Sequence, residues 1–182
     1  MAEGELRAIL SVCDSLVARA GRTTLALALR GSRSKRVLQH EVESAHGYGF
    51  FAGVPEAEVL ARIDALIADG VLCIEYHDGF PLLGYTDRGL QLAMRFAAEK
   101  WLVVLRTQVP AVAAGAVLAL PPVLAAIQQR NQATVLLLAE RIAHEADATW
   151  LPLLRAWSEG ETRRVRGKLA PIIAALEGQT PG

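Results

Sequence analysis

A short segment near the N-terminal end combines side chains that suit phosphate binding. It consists of Arg30, Ser32, Arg33, Ser34, Lys35 and Arg36, and we call it the basic turn. Guanidinium and ammonium groups neutralise phosphate charge, and serine hydroxyls donate hydrogen bonds to phosphate oxygens. No acidic residue lies between Asp14 and Glu41 to compensate these cations in sequence. The segment therefore predicts a phosphate-binding turn, against the blander alternative of a solvated basic face.

The charge of the chain is segregated, although 19 Lys and Arg balance 19 Asp and Glu. From Glu41 to Asp78 the acidic side chains outnumber the single cation Arg62. The helix predicted over residues 55–69 carries four of them: Glu56, Glu58, Asp64 and Asp69. Such a helix would repel the phosphates that border a DNA groove, so we do not expect it to read base edges.

Helical spacing of apolar residues predicts the elements that position the basic turn. The first two helices are expected over residues 5–20 and 23–30. Ser32 is expected to cap a third helix that includes Val37 and Leu38, so that its free amides and dipole add to the phosphate site. A fourth helix is expected from Pro55 to Asp69, with Gly70 ending it.

The period of the pattern changes to two after the fourth helix. Leu72, Ile74 and Tyr76 predict a strand, Asp78-Gly79 a turn, and residues 81–85 a returning strand. Tyr76 is expected in the core, and Thr86 is expected to cap a long helix that passes Trp101. Several helices followed by a hairpin wing are the order of a winged helix. The predicted fold is therefore mainly α.

The motifs of this half resemble the RQC domain, the winged-helix module C-terminal to the motor of RecQ helicases, in its RQC-minor form. The resemblance covers roughly residues 5–94. It rests on Gly21-Arg-Thr-Thr-Leu25, Leu29-Arg-Gly-Ser-Arg-Ser-Lys-Arg36, Tyr48-Gly49, Leu66-Ile-Ala-Asp-Gly-Val-Leu72 and Leu82-Leu-Gly-Tyr-Thr-Asp-Arg-Gly89.

This resemblance implies a domain that grips duplex ends and forks of DNA through phosphate contacts, with the hairpin as a wedge. By position, Arg30, Ser32, Ser34 and Arg36 match its phosphate-gripping turn. Phe80 matches the side chain at the wing tip that stacks on the terminal base pair. The alternative for Phe80 is an aromatic ring folded back onto the core.

Several features of the family, and of enzymes in general, are missing from the sequence. There is no Gly-x-x-x-x-Gly-Lys-Ser/Thr phosphate loop, and Cys13 and Cys73 are too few for a zinc module. The four histidines lie in separate segments without a catalytic or metal-ligand spacing. We therefore expect a chain that is not an enzyme, with no catalytic residue, no metal and no other cofactor.

Residues 101–182 are expected to form a second, all-α domain after a winged-helix domain over residues 1–100. Helices are expected over residues 112–120, 122–133, 134–143, 150–157 and 162–176, and residues 130–176 weakly resemble a HEAT repeat. The uncharged run 107–129 is long enough for a membrane span, but its prolines favour two packed helices. A second basic cluster, at Arg163, Arg164, Arg166 and Lys168, is either an extension of a DNA path or a solvated face.

We expect a cytoplasmic DNA-binding protein, without a membrane partner, that is accessory to DNA repair, recombination or replication. Its expected partners are a DNA duplex end or fork and a helicase or other protein that acts with it. Two alternatives remain open. One is a protein-interaction adaptor built on the helical half, and the other is a winged-helix transcription regulator, against which the acidic helix argues.

Overall fold

The computed structural model describes residues 1–115, 132–145 and 147–178, which form two compact units, Met1–Ala93 and Met94–Gly182. Apart from their ends, the helices predicted over 112–120 and 122–133 lie outside the described residues, as does most of the run 107–129. No described helix is long and apolar enough to span a bilayer. The predicted division into domains 1–100 and 101–182 stays a prediction.

The first unit contains four helices followed by a hairpin, which confirms the predicted winged-helix order. The helices are α1 (Glu3–Leu16), α2 (Arg22–Leu29), α3 (Lys35–Leu38) and α4 (Glu56–Ala68), with a 3-10 turn at Val42–Ser44. The hairpin strands are β1 (Leu72–His77) and β2 (Phe80–Tyr85). A long helix, α5 (Asp87–Ala113), begins in this unit, and its capping by Thr86 is confirmed because Thr86 Oγ1 accepts the Gly89 amide at 3.1 Å.

The core of this unit comes from one face of each main helix and from the base of the hairpin. Its largest side chains include Ile9, Leu25, Ile63, Leu72 and Leu83, all buried. Removing one such side chain from water stabilises the fold by about 1.5–3 kcal/mol. Cys13 belongs to the same core, and burial raises the pKa of its thiol to about 12.

The hairpin pairs in the register Leu72↔Tyr85 to His77↔Phe80 around a two-residue turn. Asp78 and Gly79 both have positive φ, 51° and 81°, as a type I′ turn requires. The base of the hairpin is buried, whereas its tip extends past the helices. The expectation that Tyr76 belongs to the core is therefore wrong, since its side chain lies near the tip and is 75 % exposed.

Helix α1 ends four residues earlier than predicted, because the chain after it pairs with the wing. The Ala18 amide donates to the Leu83 carbonyl at 2.9 Å, and the Leu83 amide donates to the Ala20 carbonyl at 2.9 Å. Gly21 is thus not the end of α1 but the residue that precedes α2. A Cβ at Gly21 would lie 2.8 Å from the Pro81 carbonyl oxygen, so a glycine is needed for this close approach.

The second unit is all-helical in the described residues, as the sequence predicted. After α5 come α6 (Gln132–Glu145), a 3-10 turn at Ala148–Trp150, α7 (Leu151–Glu159) and α8 (Arg163–Glu177). Trp150 and Trp157 are buried in its core, and their indole N–H groups donate to Glu145 at 2.9 Å and Glu161 at 2.7 Å. Helices α7 and α8 pack against each other, while the HEAT-type assignment stays a prediction.

Candidate functional site

The basic turn connects α2 to α3 and differs locally from the predicted helix cap. Ser34, not Ser32, directly precedes α3, and its side chain makes no capping hydrogen bond. Ser32 instead accepts the Ser34 amide on its own Oγ at 3.3 Å. The expectation that Ser32 caps the helix is therefore wrong. Helix α3 has only four residues, so its dipole contributes little to anion binding.

The turn still presents a cluster of hydrogen-bond donors. Within the described part of the chain, the amides of Arg33, Lys35 and Arg36 have no acceptor. These residues and Ser34 also have exposed side chains. Free amides that lie close together in a turn can hold an anion, and here the Ser34 amide between them is occupied by Ser32 Oγ while the side chains of Arg33, Lys35 and Arg36 add positive charge. The turn can therefore bind a phosphate without the predicted helix dipole.

A neighbouring loop holds the basic turn in place. The Gly49 amide donates to Ala28 at 3.1 Å, and the Tyr48 hydroxyl donates to the Ser32 carbonyl at 3.1 Å. Gly31, with φ of +76°, passes so close that a Cβ on it would lie 3.3 Å from the Gly49 Cα. These contacts give a physical role to the Tyr48-Gly49 pair among the sequence motifs.

Arg30 is held by contacts within the protein. Its Nε donates to the Val54 carbonyl at 2.9 Å, and one terminal nitrogen lies 3.4 Å from a Glu56 carboxylate oxygen. The side chain is about one-third exposed (33 %). Arg30 thus connects the end of α2 to the start of α4, and its predicted phosphate contact would compete with these two interactions.

Beside the basic turn lies a groove of about 860 Å³ between α2, α3, α4 and the hairpin. Its lining includes three exposed arginines, one carboxylate and several apolar side chains. We call it the basic groove and define it by Arg19, Arg22, Arg36 and His40 on the rim, Ile67, Ala68, Ile74 and Leu82 on the floor, and Tyr76 and Phe80 at the wing.

Arg36 belongs to both the basic turn and the basic groove. Its Nε donates to Oγ1 of Thr24 at 2.9 Å, which fixes the side chain against the first turn of α2. No other hydrogen bond of its guanidinium occurs among the described residues. The two terminal nitrogens are therefore available to an anionic ligand in the groove.

His40 reports the positive field of this groove. Its pKa is lowered below the usual value, first by desolvation and then by the charges of Arg19 and Arg36. Its Nδ1 is buried and has no hydrogen-bond partner in the described structure. At neutral pH the ring is therefore uncharged, and an anion that neutralises the arginines would favour its protonation.

The wing tip presents two aromatic rings to solvent. Phe80 is 70 % exposed at the end of the hairpin, so it is not folded back onto the core. Tyr76 lies on the face of β1 that also carries Ile74, opposite Pro81. His77 pairs across the strands with Phe80 and lies 3.5 Å from Glu75. A ring at this position can contact the face of a base pair.

The acidic residues of α4, which form a separate block in the sequence, lie beside arginines in the structure. All three α4 carboxylates lie beside arginines: Asp64 pairs with Arg22, Glu56 with Arg30, and Glu58 with Arg62. The predicted repulsion between α4 and DNA is therefore weaker than the sequence indicated. Exposed pairs of this type contribute at most about 1 kcal/mol each to stability.

The structure adds functional candidates that the sequence reasoning missed. Arg19, Arg22 and His40 line the groove although none was assigned a role beyond the general charge pattern. Both arginines lie within the acid-free interval 15–40, so that interval was the available signal. On the second unit, the cations Arg163, Arg166 and Lys168 are exposed on α8, and their predicted role as a DNA path stays a prediction.

Comparisons with known proteins agree with the resemblance drawn from the motifs. The family model for the RQC domain matches residues 2–100. No curated protein and no solved structure matches the chain. The match includes the basic turn, the basic groove and the hairpin wing, and it ends inside α5.

Proposed function

Because the chain belongs to the RQC family and carries a RecQ-like nucleic-acid-binding domain, we propose that it binds duplex ends and forks of DNA without catalysing a reaction. The observation that carries this proposal is the basic turn. Its free amides and exposed cations suit phosphate binding, and Arg36 belongs both to this turn and to the lining of the groove. Phosphate contacts of this kind position a protein on DNA without reading its sequence.

The preference for ends and forks comes from the wing. Phe80 is exposed at a tight turn and has no role in the core, so its burial against a terminal base pair would remove apolar surface from water. Inside a continuous duplex the same ring has no base face to contact, because neighbouring pairs are stacked. A duplex end or a fork therefore offers a contact that a closed duplex lacks.

The six residues of the basic turn divide into those that would contact phosphate and those that hold the turn in place. Arg33, Ser34, Lys35 and Arg36 are assigned to phosphate contact, since all four are exposed and the three cations form no ion pair among the described residues. Arg30 and Ser32 are assigned mainly to positioning, because their side chains hold Val54, Glu56 and the Ser34 amide. This assignment changes the expected effect of Arg30 substitution from lost binding to lost stability.

The given residues carry no nucleotide-binding loop for a motor. The proposal assigns unwinding to a helicase that acts with the domain. We place the protein in this accessory role in DNA repair, recombination or replication. The expected location, the cytoplasm, belongs to the same proposal. The helical second unit would then provide the contact surface for such a protein.

The test is the salt dependence of DNA binding, measured by fluorescence anisotropy on blunt, forked and single-stranded DNA. The variant Arg33→Gln/Lys35→Gln should weaken binding to all duplexes and reduce the slope of log K against log salt by about two, at roughly 0.9 per phosphate. The control Arg88→Gln/Lys100→Gln removes the same charge elsewhere and should leave the slope nearly unchanged. Binding that is indifferent to salt and to Arg33 and Lys35 would refute the proposal.

A further inference from the structure

The basic groove has a feature that phosphate binding alone does not explain. Beside its exposed arginines the groove is lined by the half-buried apolar side chains of Ile67, Ile74 and Leu82, which with the exposed Ala68 we call its apolar floor, and by the exposed ring of Tyr76. A site for phosphate alone needs donors and charge, and apolar surface adds nothing to it. A cationic rim over an apolar floor matches a ligand that is both anionic and flat-faced.

We propose that the basic groove binds the unpaired nucleotides of a single strand that adjoins the duplex, with bases over the apolar floor and phosphates on the arginine rim. This inference rests on the proposed function, since it assigns a place to the strand that the wing separates. Proteins that bind single strands without sequence preference combine these two elements, a basic groove and stacking surfaces.

The geometry favours an unpaired strand over a duplex in this groove. In a duplex the base faces are stacked and only the edges are accessible, so the apolar floor would stay without a partner. In an unpaired strand the faces are free to lie on Ile74 and the ring of Tyr76. The groove volume of about 860 Å³ lies within the range of about 300–1,000 Å³ that is typical of sites for small organic groups.

The charges of the rim favour an anionic chain. Asp64 is the single acidic residue that lines the groove among the described residues, and it pairs with Arg22. Arg19 and Arg36 therefore remain as uncompensated cations, and Arg36 is oriented by Thr24. Together these groups can neutralise about two phosphates.

The test uses the full chain and three DNA probes that share the same duplex of about 12 base pairs. The first is blunt, the second carries a tail of six thymidines, and the third carries a tail of six abasic sites. Both tails have the same phosphates but only the first has bases. The unaltered chain should bind the thymidine-tailed probe about tenfold more tightly than the abasic one, because stacking on aromatic and apolar surface is lost without bases.

Two variants alter the groove without removing its cations. Ala68→Leu fills part of the floor, and Tyr76→Ala removes an exposed ring that takes no part in the core. Both should abolish most of the thymidine preference, which is the ratio of the two tailed-probe affinities within one variant, and Ala68→Leu should leave blunt-duplex affinity unchanged. The control Ala65→Leu places the same side chain on α4 at a position that does not line the groove, and it should keep the preference.

The outcomes separate this inference from the proposed function. Equal affinity for thymidine and abasic tails, or a preference that survives both groove variants, would overturn the groove assignment even if duplex binding remains. In a competition experiment, an acidic peptide of equal charge that displaces bound oligothymidine would overturn the groove assignment in favour of a protein ligand. Blunt-duplex binding that ignores Arg33 and Lys35 refutes the proposed function, whereas oligothymidine binding still tests the groove by itself.

Discussion

Arg36 on α3 donates from Nε to Oγ1 of Thr24 on α2, over 2.9 Å, and this contact joins the basic turn to the basic groove. Thr24 is buried, so the acceptor is fixed, and the guanidinium is held in one orientation. The Gly21-Arg-Thr-Thr motif thus has a physical purpose. Gly21 allows the wing to approach, and Thr24 orients the guanidinium of Arg36.

Thr24→Val should weaken DNA binding by about three- to tenfold, because it removes one neutral acceptor, worth about 0.5–1.5 kcal/mol, that orients Arg36. Valine has nearly the same shape, so the fold should persist. Anisotropy titrations on a forked duplex measure the loss, and urea unfolding checks the fold. Thr24→Ser keeps Oγ and should restore most of the affinity. Equal binding by the serine and valine variants would show that the orientation of Arg36 is irrelevant.

Arg30→Ala should lower the free energy of unfolding by about 1–2 kcal/mol, because it removes the hydrogen bond to Val54 and the ion pair with Glu56. Chemical denaturation measures the change. Glu56→Gln removes the ion pair but not the contact to Val54, so its cost should be well below that of Arg30→Ala. Unchanged stability together with lost duplex binding would instead assign Arg30 to phosphate contact, as its sequence position first indicated.

Phe80→Ala should leave the free energy of unfolding within about 0.5 kcal/mol of the unaltered value, because the ring is exposed. It should remove the preference for blunt or forked ends over a duplex closed by loops at both ends. The measurement is competition binding between open and closed probes of equal length. Val103→Ala, at another exposed apolar residue, is the control. A preference for open ends that persists without the ring would exclude the wedge.

DNA affinity should rise as the pH falls below about 7, through the titration of His40. Its pKa is lowered by desolvation, with Arg19 and Arg36 next, so the unbound folded chain binds its proton more weakly than the unfolded chain does. Stability gained from His40 is therefore present above the unfolded pKa of about 6.5 and is lost as the pH falls through the lower folded pKa. A bound phosphate raises the folded pKa again, so binding takes up a proton.

The measurement is anisotropy at constant ionic strength between pH 6 and pH 8, with His40→Gln as the variant. The charges that face the ring are Arg19 from the segment after α1 and Arg36 from α3, with Arg22 and Asp64 farther along the same groove. In the His40→Gln variant, DNA affinity should rise less steeply as the pH falls. An identical pH dependence in the variant would show that His40 lies away from the bound phosphates.

The order of elements and the residues of the basic turn could be predicted from sequence, because periodicity and charge are local properties. Helix α4 was predicted to within one residue at each end, since Pro55 and Gly70 mark its limits. The end of α1 could not be predicted, because pairing of residues 18–20 with β2 replaces the last helical turn. The exposure of Tyr76 was missed because strand alternation does not tell how far a hairpin extends past its support.

The candidate site was harder to predict because its geometry depends on contacts between distant segments. Nothing near Arg30 in sequence indicates that Val54 and Glu56 occupy its guanidinium, 24 and 26 residues away. The groove likewise joins Arg19 and Arg22 to α4 and the wing. Composition identified the basic interval, and tertiary packing decides which of its cations line one groove.

The most direct test of the central claim is the amide spectrum of the isotopically labelled chain during titration with a blunt duplex. We expect the amides of Arg33, Lys35 and Arg36 to shift together and to saturate at the same DNA concentration as the amide of Phe80. Saturable binding that leaves these three amides unshifted would contradict the assignment of the basic turn as the phosphate site.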